Sequence, residues 1–220
     1  MVALPFIGTM PDAEYFAYPA LSNSKMSEIK KQITGKSDFF DPADAFRFGS
    51  LIDAMITEGH RIEWAMKLLD DQPIIPTEFE TARKMRKAFL ADRSCCDLVF
   101  DNNVEYQKVF IRELEMQSNG VQFSVLCKCK FDFYGAVSGD IKSTTAKTLQ
   151  DFIAACYRFD YFRSRAFYMD IAQTDLDVII GISKVNFKIF KLVIKRGDKY
   201  HTEGVKQYQE LAFHYWVLNG

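Results

Sequence analysis

The stretch from Val121 to Phe133 constrains the fold most, because apolar and polar residues alternate along almost all of it. Every odd-numbered position is apolar or cysteine, and the even-numbered positions are polar except Leu126. A period of two is typical of a strand with one buried face. The preceding Ser118–Gly120 tripeptide favours a tight hairpin turn. We therefore predict an antiparallel partner strand over residues 104–116.

A second strand is predicted immediately after this one. Gly135 and Gly139 bracket a short reversal, so the chain can return beside the first strand from Asp140 onward. Side chains two positions apart in a strand lie on the same face. Asp140 and Lys142 are therefore predicted to share one face, while Ile141 points into the core.

Asp132 lies at the end of the first of these strands, so its carboxylate can meet that of Asp140. Hard divalent cations such as Mg²⁺ prefer oxygen ligands, and a bound cation favours hydroxide over water. The pair therefore predicts a metal site, with Lys142 beside it and the Ile141 carbonyl as an additional ligand. An Asp-x-Lys triplet also occurs by chance in many proteins, and an aspartate beside a hairpin turn is common.

Several segments in order extend this pattern over most of the chain. They are Ala20–Lys25, Phe48–Glu58, Cys127–Asp132, Asp140–Thr145, Phe152–Tyr168, and Gly204 with the helix after it. In this order the chain resembles the RecE-type (exonuclease VIII-like) exonuclease domains of the PD-(D/E)XK nuclease superfamily, over about residues 20–215. The resemblance implies an α/β fold with a restriction-endonuclease-like core, in which helices flank a central mixed β-sheet.

The resemblance also implies roles for individual residues. Asp132 and Asp140 correspond to ligands of Mg²⁺, for which Mn²⁺ can substitute, and Lys142 to the residue that orients or activates the attacking water. Tyr168 corresponds to the tyrosine that ends a Q-x-x-x-Y helix motif near the active site. Glu58 falls on an acid that is frequent in the family.

Two positions depart from the family pattern. Asp53 stands where the family usually has histidine in an F-G-x-x-x-H phrase, and an aspartate there can still be a ligand for Mg²⁺ or Mn²⁺. Ser164 replaces the glutamine of the helix motif, and its shorter side chain cannot reach as far. Neither change affects Asp132, Asp140 or Lys142.

The activity implied by the resemblance is Mg²⁺-dependent degradation of one strand from the ends of duplex DNA, in recombination. It also implies a ring-shaped homo-oligomer and a single-strand annealing protein as a partner. Two alternatives stay open. One is a nuclease fold that has lost turnover and serves DNA binding or assembly, and the other is an endonuclease, or an RNA-directed enzyme, of the same superfamily.

Composition favours one globular domain over residues 1–220. The chain has 220 residues, 48% of them hydrophobic, and no linker-like segment divides it. The N-terminus has neither a basic region nor a long apolar run, and no segment reaches the roughly 18 apolar residues that a membrane span requires. We therefore expect a cytoplasmic protein with no membrane partner. Five cysteines, an odd number, favour free thiols over a disulfide framework.

The net charge of −1 does not by itself suggest a nucleic-acid partner. The basic residues, however, concentrate in residues 83–87 and 184–196. Each cluster is either a solvated face or part of a surface that binds DNA.

Helix signals occur at several points. Ser22 or Ser24 can cap a helix, Thr77–Glu80 has the form of a capping box, and residues 149–172 are predicted to be helical with a break near Tyr157. In the last of these segments, Tyr161 and Tyr168 lie one heptad apart and share a face. They are candidates for the site or for stacking on bases, although aromatic residues at helical spacing are more often part of a core.

Overall fold

The computed structural model describes residues 5–35, 42–57 and 75–219, and in this part of the chain six strands form one sheet. In chain order the strands are β1 (Phe6–Gly8), β2 (Glu105–Ser118), β3 (Val121–Tyr134), β4 (Ser138–Thr144), β5 (Leu176–Ser183) and β6 (Ile189–Lys195). They are neighbours in that same order, and only β4 and β5 run parallel. The predicted mixed sheet of an α/β fold is confirmed.

Helices pack on both faces of this sheet. They are α1 (Asp12–Ala17), α2 (Asn23–Thr34), α3 (Pro42–Thr57), α4 (Pro76–Ala91), α5 (Arg93–Val99), α6 (Leu149–Arg158), α7 (Tyr161–Ala172) and α8 (Lys199–Asn219). The pair α6 and α7 connects β4 to β5, because parallel neighbours cannot be joined by a tight turn. None of the helices in the described ranges is long and apolar enough to cross a membrane.

The predicted β2–β3 hairpin is present with the predicted turn. Asn119 and Gly120 both have positive φ angles, 51° and 77°, which the two central residues of a type I′ turn require. Ser118 pairs with Val121, and the register continues to the far end of both strands. This hairpin brings Asp132 to the end of β3 that lies beside β4.

The two faces of β4 and β5 carry different layers. Ile141, Val178 and Ile180 pack with the cluster formed by α3, α4 and α5. Ile179 packs with residues of α6 and α7 on the opposite face. Since Asp140 pairs with Ile179 in the parallel register, Asp140 and Lys142 belong to the α7 face.

The predicted helix start is confirmed for α2 and wrong for α4. Ser22 is the N-cap of α2, where its Oγ accepts a hydrogen bond of 3.2 Å from the Lys25 amide. Thr77 caps no helix, because α4 begins one residue earlier with Pro76, which fits the first helical position. The break predicted near Tyr157 falls at residues 159 and 160, between α6 and α7.

Candidate active site

Asp140 and Lys142 lie next to each other on β4, and their charged groups are in contact. The Lys142 Nζ is 2.6 Å from Oδ2 of Asp140. The Asp140 side chain is 10% exposed and that of Lys142 is 30% exposed. The carboxylate is therefore almost enclosed by protein, whereas part of the Lys142 side chain is exposed to solvent.

Asp132 approaches the same point from β3. Its Oδ2 accepts a hydrogen bond of 2.8 Å from the backbone N–H of Ile141, the residue between Asp140 and Lys142. The ladder between β3 and β4 pairs Phe133 with Gly139. The Asp132 carboxylate thus takes the place that a strand carbonyl would have in the ladder, which fixes it beside Asp140.

The two carboxylates have opposite pKa shifts. Burial and the nearby charge of Asp140 raise the pKa of Asp132 to about 7. Burial also acts on Asp140, but the positive charges of Lys142 and Arg165 outweigh it and lower the Asp140 pKa. Near neutral pH, Asp140 is therefore ionised, and Asp132 binds a proton part of the time.

Lys142 is held in its charged form by the same carboxylates. Burial lowers the pKa of the amine, but the charges of Asp140 and Asp132 outweigh burial and the net pKa is raised. Lys142 is therefore an ammonium group that donates hydrogen bonds, and it is a poor proton acceptor in this state.

One buried oxygen of the pair is suited to a cation. Oδ2 of Asp140 is buried, and the partner that the described residues offer it is the Lys142 ammonium, 2.6 Å away. A hard divalent cation held by Asp132 and Asp140 would give this oxygen a further partner and offset the repulsion between the two carboxylates. The donor set fits Mg²⁺ or Mn²⁺ in this respect.

A third protein ligand is not evident among the described residues. They contain no group of three or more His, Cys, Asp and Glu side chains arranged to hold a metal. Mg²⁺ usually keeps several waters when it is bound through one or two carboxylates. The Ile141 carbonyl lies on the same edge of β4 as its N–H, facing Asp132, and it stays a predicted ligand.

Asp53, on α3, is linked to the strand next to Asp132. Its Oδ2 accepts a hydrogen bond of 3.0 Å from Nε2 of Gln107. Gln107 lies on β2 between the residues that pair with Phe131 and Phe133, and it has a left-handed backbone with φ of 53°. Such strain inside a strand is costly for a residue other than glycine. The ligand role of Asp53 stays a prediction, and Glu58 lies outside the described residues.

The three α7 residues predicted for the site differ in their surroundings. The Lys142 Nζ lies 5.4 Å from the centroid of the Tyr161 ring, so Tyr161 borders the amine. The Ser164 Oγ donates a hydrogen bond of 3.1 Å to the Tyr161 carbonyl within the helix. The Tyr168 ring packs on Phe131 and on the Arg165 guanidinium, and burial raises its pKa well above the usual value.

Arg165 and Asp177 form a buried ion pair that was not predicted. Arg165 Nε and Nη2 each donate a hydrogen bond of 2.8 Å to the Asp177 carboxylate, which also accepts one of 2.7 Å from Ser138 Oγ. Arg165 Nη1 lies 3.5 Å from Oδ1 of Asp140. The pair thus connects α7 and β5 to the site carboxylate.

The sequence contains a signal for this pair. Phe162, Arg165, Ala166 and Met169 follow helical spacing, so Arg165 lies on an apolar stripe. Asp177 is the acid that precedes the apolar run Val178–Ile182. A charge in an apolar stripe requires a buried partner of opposite sign.

Comparisons with known proteins give distant similarities. No protein-family model matches the chain, and no curated protein matches it. A phage-related exonuclease from Haemophilus somnus 129PT is similar in structure with a TM-score of 0.40 and 10% identity, over 95% of this chain and 88% of that chain. An alkaline exonuclease from Laribacter hongkongensis, LHK-Exo, has a TM-score of 0.33 and 14% identity, over 79% of this chain and 93% of that chain. The structure of SSO0001 is similar with a TM-score of 0.39 and 11% identity, over 89% of this chain and 85% of that chain.

Proposed function

We propose that this protein is a Mg²⁺-dependent deoxyribonuclease whose site is formed by Asp132, Asp140 and Lys142. The proposal rests on the two enclosed carboxylates, which meet where Asp132 accepts a hydrogen bond from the Ile141 amide, and on the partly exposed Lys142 side chain beside them. The resemblance of the sequence to RecE-type exonuclease domains supports the assignment to DNA.

Each of the three side chains has a distinct task. Asp132 and Asp140 would hold the cation, and Mn²⁺ could replace Mg²⁺. When bound, the cation supplies stabilisation of negative charge on the phosphate and lowers the pKa of bound water. Lys142, as an ammonium, orients a water or phosphate oxygen by donating hydrogen bonds and stabilises the developing negative charge. Arg165 keeps the Asp140 carboxylate ionised from the buried side.

The mode of action that we propose is degradation of one strand from the ends of duplex DNA. It follows from the sequence resemblance, as do a homo-oligomeric assembly and a single-strand annealing protein as partner. An exonuclease requires a free end, so it leaves covalently closed circular DNA intact, whereas an endonuclease cuts both linear and circular substrates.

The activity can be tested with purified protein, Mg²⁺ or Mn²⁺, and end-labelled linear duplex DNA. We expect degradation that Asp140→Asn and Lys142→Gln each reduce roughly 100-fold or more, because several kcal/mol of charge stabilisation are lost. Asp97→Asn and Lys195→Gln are matched controls, since both side chains are exposed and lie on α5 and β6, away from β3 and β4 in the sequence. These controls are expected to keep full activity.

Two results would contradict the proposal in different ways. Linear DNA that stays intact while the protein binds it would favour a DNA-binding or assembly module without turnover. Cleavage of closed circles at the rate of linear DNA would assign an endonuclease. Loss of activity in the variants counts only if circular dichroism shows that they retain the fold.

A further inference from the structure

The chain makes a compact turn where β5 ends. Ser183 Oγ accepts hydrogen bonds from the amides of Val185 and Asn186, at 3.2 and 3.3 Å. The Phe187 amide donates to the Ser183 carbonyl, and the Ser183 amide donates to the Lys188 carbonyl. These bonds give the turn a defined shape, which allows it to present side chains at fixed positions.

Lysines from three parts of the sequence lie in this turn or next to it. Lys84 of α4 places its Nζ 5.9 Å from the centroid of the Phe187 ring. The Asn186 side-chain amide donates a hydrogen bond of 3.0 Å to the Lys147 carbonyl. Two further lysines belong to the turn itself. The lysine cluster therefore comprises Lys84, Lys147, Lys184 and Lys188.

Within the described part of the chain, none of these four lysines forms an ion pair with a carboxylate, although Asp151 lies next to Lys147 and accepts a hydrogen bond from its backbone amide. Lysines elsewhere do form such pairs, for example Lys30 with Asp160 and Lys191 with Asp92. The Lys184 Nζ instead lies 4.6 Å from the centroid of the Phe48 ring. In a chain with a net charge of −1, the cluster is thus a local excess of positive charge.

The charge on Lys184 is also destabilised by burial, and a bound anion would stabilise it. Burial lowers the pKa of Lys184, and Glu78 counteracts this only in part. Glu78 itself is 3.0 Å from Arg47, with which it forms an ion pair. The other three lysines are exposed.

The cluster is joined directly to the strand that carries the candidate active site. The Lys184 amide donates a hydrogen bond of 2.7 Å to the carbonyl of Thr144, the last residue of β4. Thr144 is four residues beyond Asp140, which corresponds to roughly 13 Å along a strand. That distance is about four base pairs of duplex DNA along the helix axis.

We infer that the lysine cluster binds the phosphate backbone of duplex DNA and guides the duplex to the carboxylates on β4. The inference rests on the proposed function for its choice of anion. Positive charge next to the end of β4 fits a phosphodiester backbone, and contacts of this kind hold a duplex in register without reading its sequence. The cluster would thus set affinity and position, while Asp132, Asp140 and Lys142 act on the bond.

The test is the salt dependence of DNA binding, measured by fluorescence anisotropy with a labelled duplex in EDTA, so that no cleavage occurs. Each lysine–phosphate contact contributes about 0.9 to the slope of log K against log salt concentration. Changing all four lysines to glutamine is expected to reduce this slope by about 3.6. The triple variant of the exposed Lys84, Lys147 and Lys188 is expected to reduce it by about 2.7 and leaves the packed Lys184 unchanged.

A control of equal charge change replaces Lys25, Lys195, Lys199 and Lys206, which lie outside the cluster, with glutamine. Equal slopes for the control and the cluster variants would overturn the inference, as would a wild-type protein that does not bind duplex DNA. A protein that binds DNA through the cluster but never cleaves it would contradict the proposed hydrolase activity and would still support the lysine cluster as a DNA-binding surface. If the wild type cleaves DNA but the cluster variants keep an unchanged slope, the inference about the lysine cluster is wrong and the proposed activity is unaffected.

Discussion

At the scale of single residues, Arg165 is the buried charge that connects the site to the protein interior. Its side chain is 1% exposed and that of Asp177 is fully buried, so neither charge has access to water. Two parallel hydrogen bonds of 2.8 Å satisfy the pair, and a planar guanidinium is the group that can make both. Removing one partner therefore leaves an uncompensated charge inside the protein.

Arg165→Gln is expected to lower the free energy of unfolding by about 3–5 kcal/mol, because the Asp177 carboxylate loses its partner. The double variant Arg165→Met/Asp177→Leu is expected to lose less, since neither member of the pair is then left as a buried charge without its partner. Ser138 Oγ keeps a partner in that variant, the Leu176 carbonyl at 3.2 Å. Urea denaturation of both variants is the measurement, and equal losses in the two would contradict a buried ion pair.

At the scale of elements, segments with a long local pattern were predictable. The β2–β3 hairpin follows from alternation and from Asn119–Gly120, and β4 follows from the glycines before Asp140. The short elements β1, α1 and α5 were not predicted, because three to seven residues are too few to show a period. Asp132, Asp140 and Lys142 come together as their strand positions suggested, whereas Arg165 and Asp177 meet only through the packing of α7 on β5.

Lys128 of β3 is buried by helix α1, which the strand pattern alone did not predict. It occupies an even position of β3, which predicts an exposed side chain, but it is 4% exposed. Its ammonium group donates hydrogen bonds to the carbonyls of Tyr15 and Tyr18, at 2.6 and 2.8 Å. Helix α1 covers this part of the sheet, and its last carbonyls serve as the partners that the buried amine requires.

Gly139 determines how closely β3 and β4 approach beside the site. A Cβ atom at this position would lie 2.2 Å from the Phe133 ring and 2.7 Å from the Val178 carbonyl oxygen. Because the carbonyl is backbone, Gly139→Ala must displace β4 from its neighbours. We expect a loss of stability of about 1–3 kcal/mol, and reduced cleavage because Ile141 moves relative to Asp132.

Gly49→Ala is the matched control for this substitution. Gly49 lies within α3, and apart from its own helix a Cβ atom there would meet no atom of residues 5–35, 42–57 and 75–219 within 4 Å. Alanine in a helix interior is favoured over glycine by about 0.5–1 kcal/mol, so this variant is expected to be slightly more stable. Denaturation midpoints and cleavage rates of the two variants give the comparison, and an unimpaired Gly139→Ala would show that β4 tolerates the shift.

At the scale of the whole molecule, ionised carboxylates affect stability in two opposite directions. The hydrogen bond from Lys191 is the largest cause that lowers the pKa of Asp92, to about 2. Stability from Asp92 is therefore present above pH of about 4 and is lost as the pH falls toward 2. Asp132, with its pKa raised to about 7, acts in the reverse sense: its contribution is present below about 4 and is lost as the pH rises through 7.

At high pH the ionisation of Asp132 lowers the stability of the fold. A cation bound by the two carboxylates is expected to restore that stability. At 100 times its dissociation constant, a ligand that binds only the folded state adds about 2.7 kcal/mol, or about 5–10 °C in Tm for a chain of this size. The shift caused by Mg²⁺ is expected to be larger at pH 8 than at pH 5.5, because protons compete for Asp132 at the lower pH.

Thermal unfolding of Asp132→Asn separates this effect from metal binding elsewhere. In EDTA at pH 8 this variant is expected to have a higher Tm than the wild type, since the amide can still accept the Ile141 N–H bond and the repulsion with Asp140 is gone. Mg²⁺ is expected to add almost nothing to it, whereas the exposed control Asp97→Asn keeps the full wild-type shift. If Asp132→Asn responded to Mg²⁺ as strongly as the control, the cation that stabilises the fold would have to bind away from the β3–β4 carboxylates.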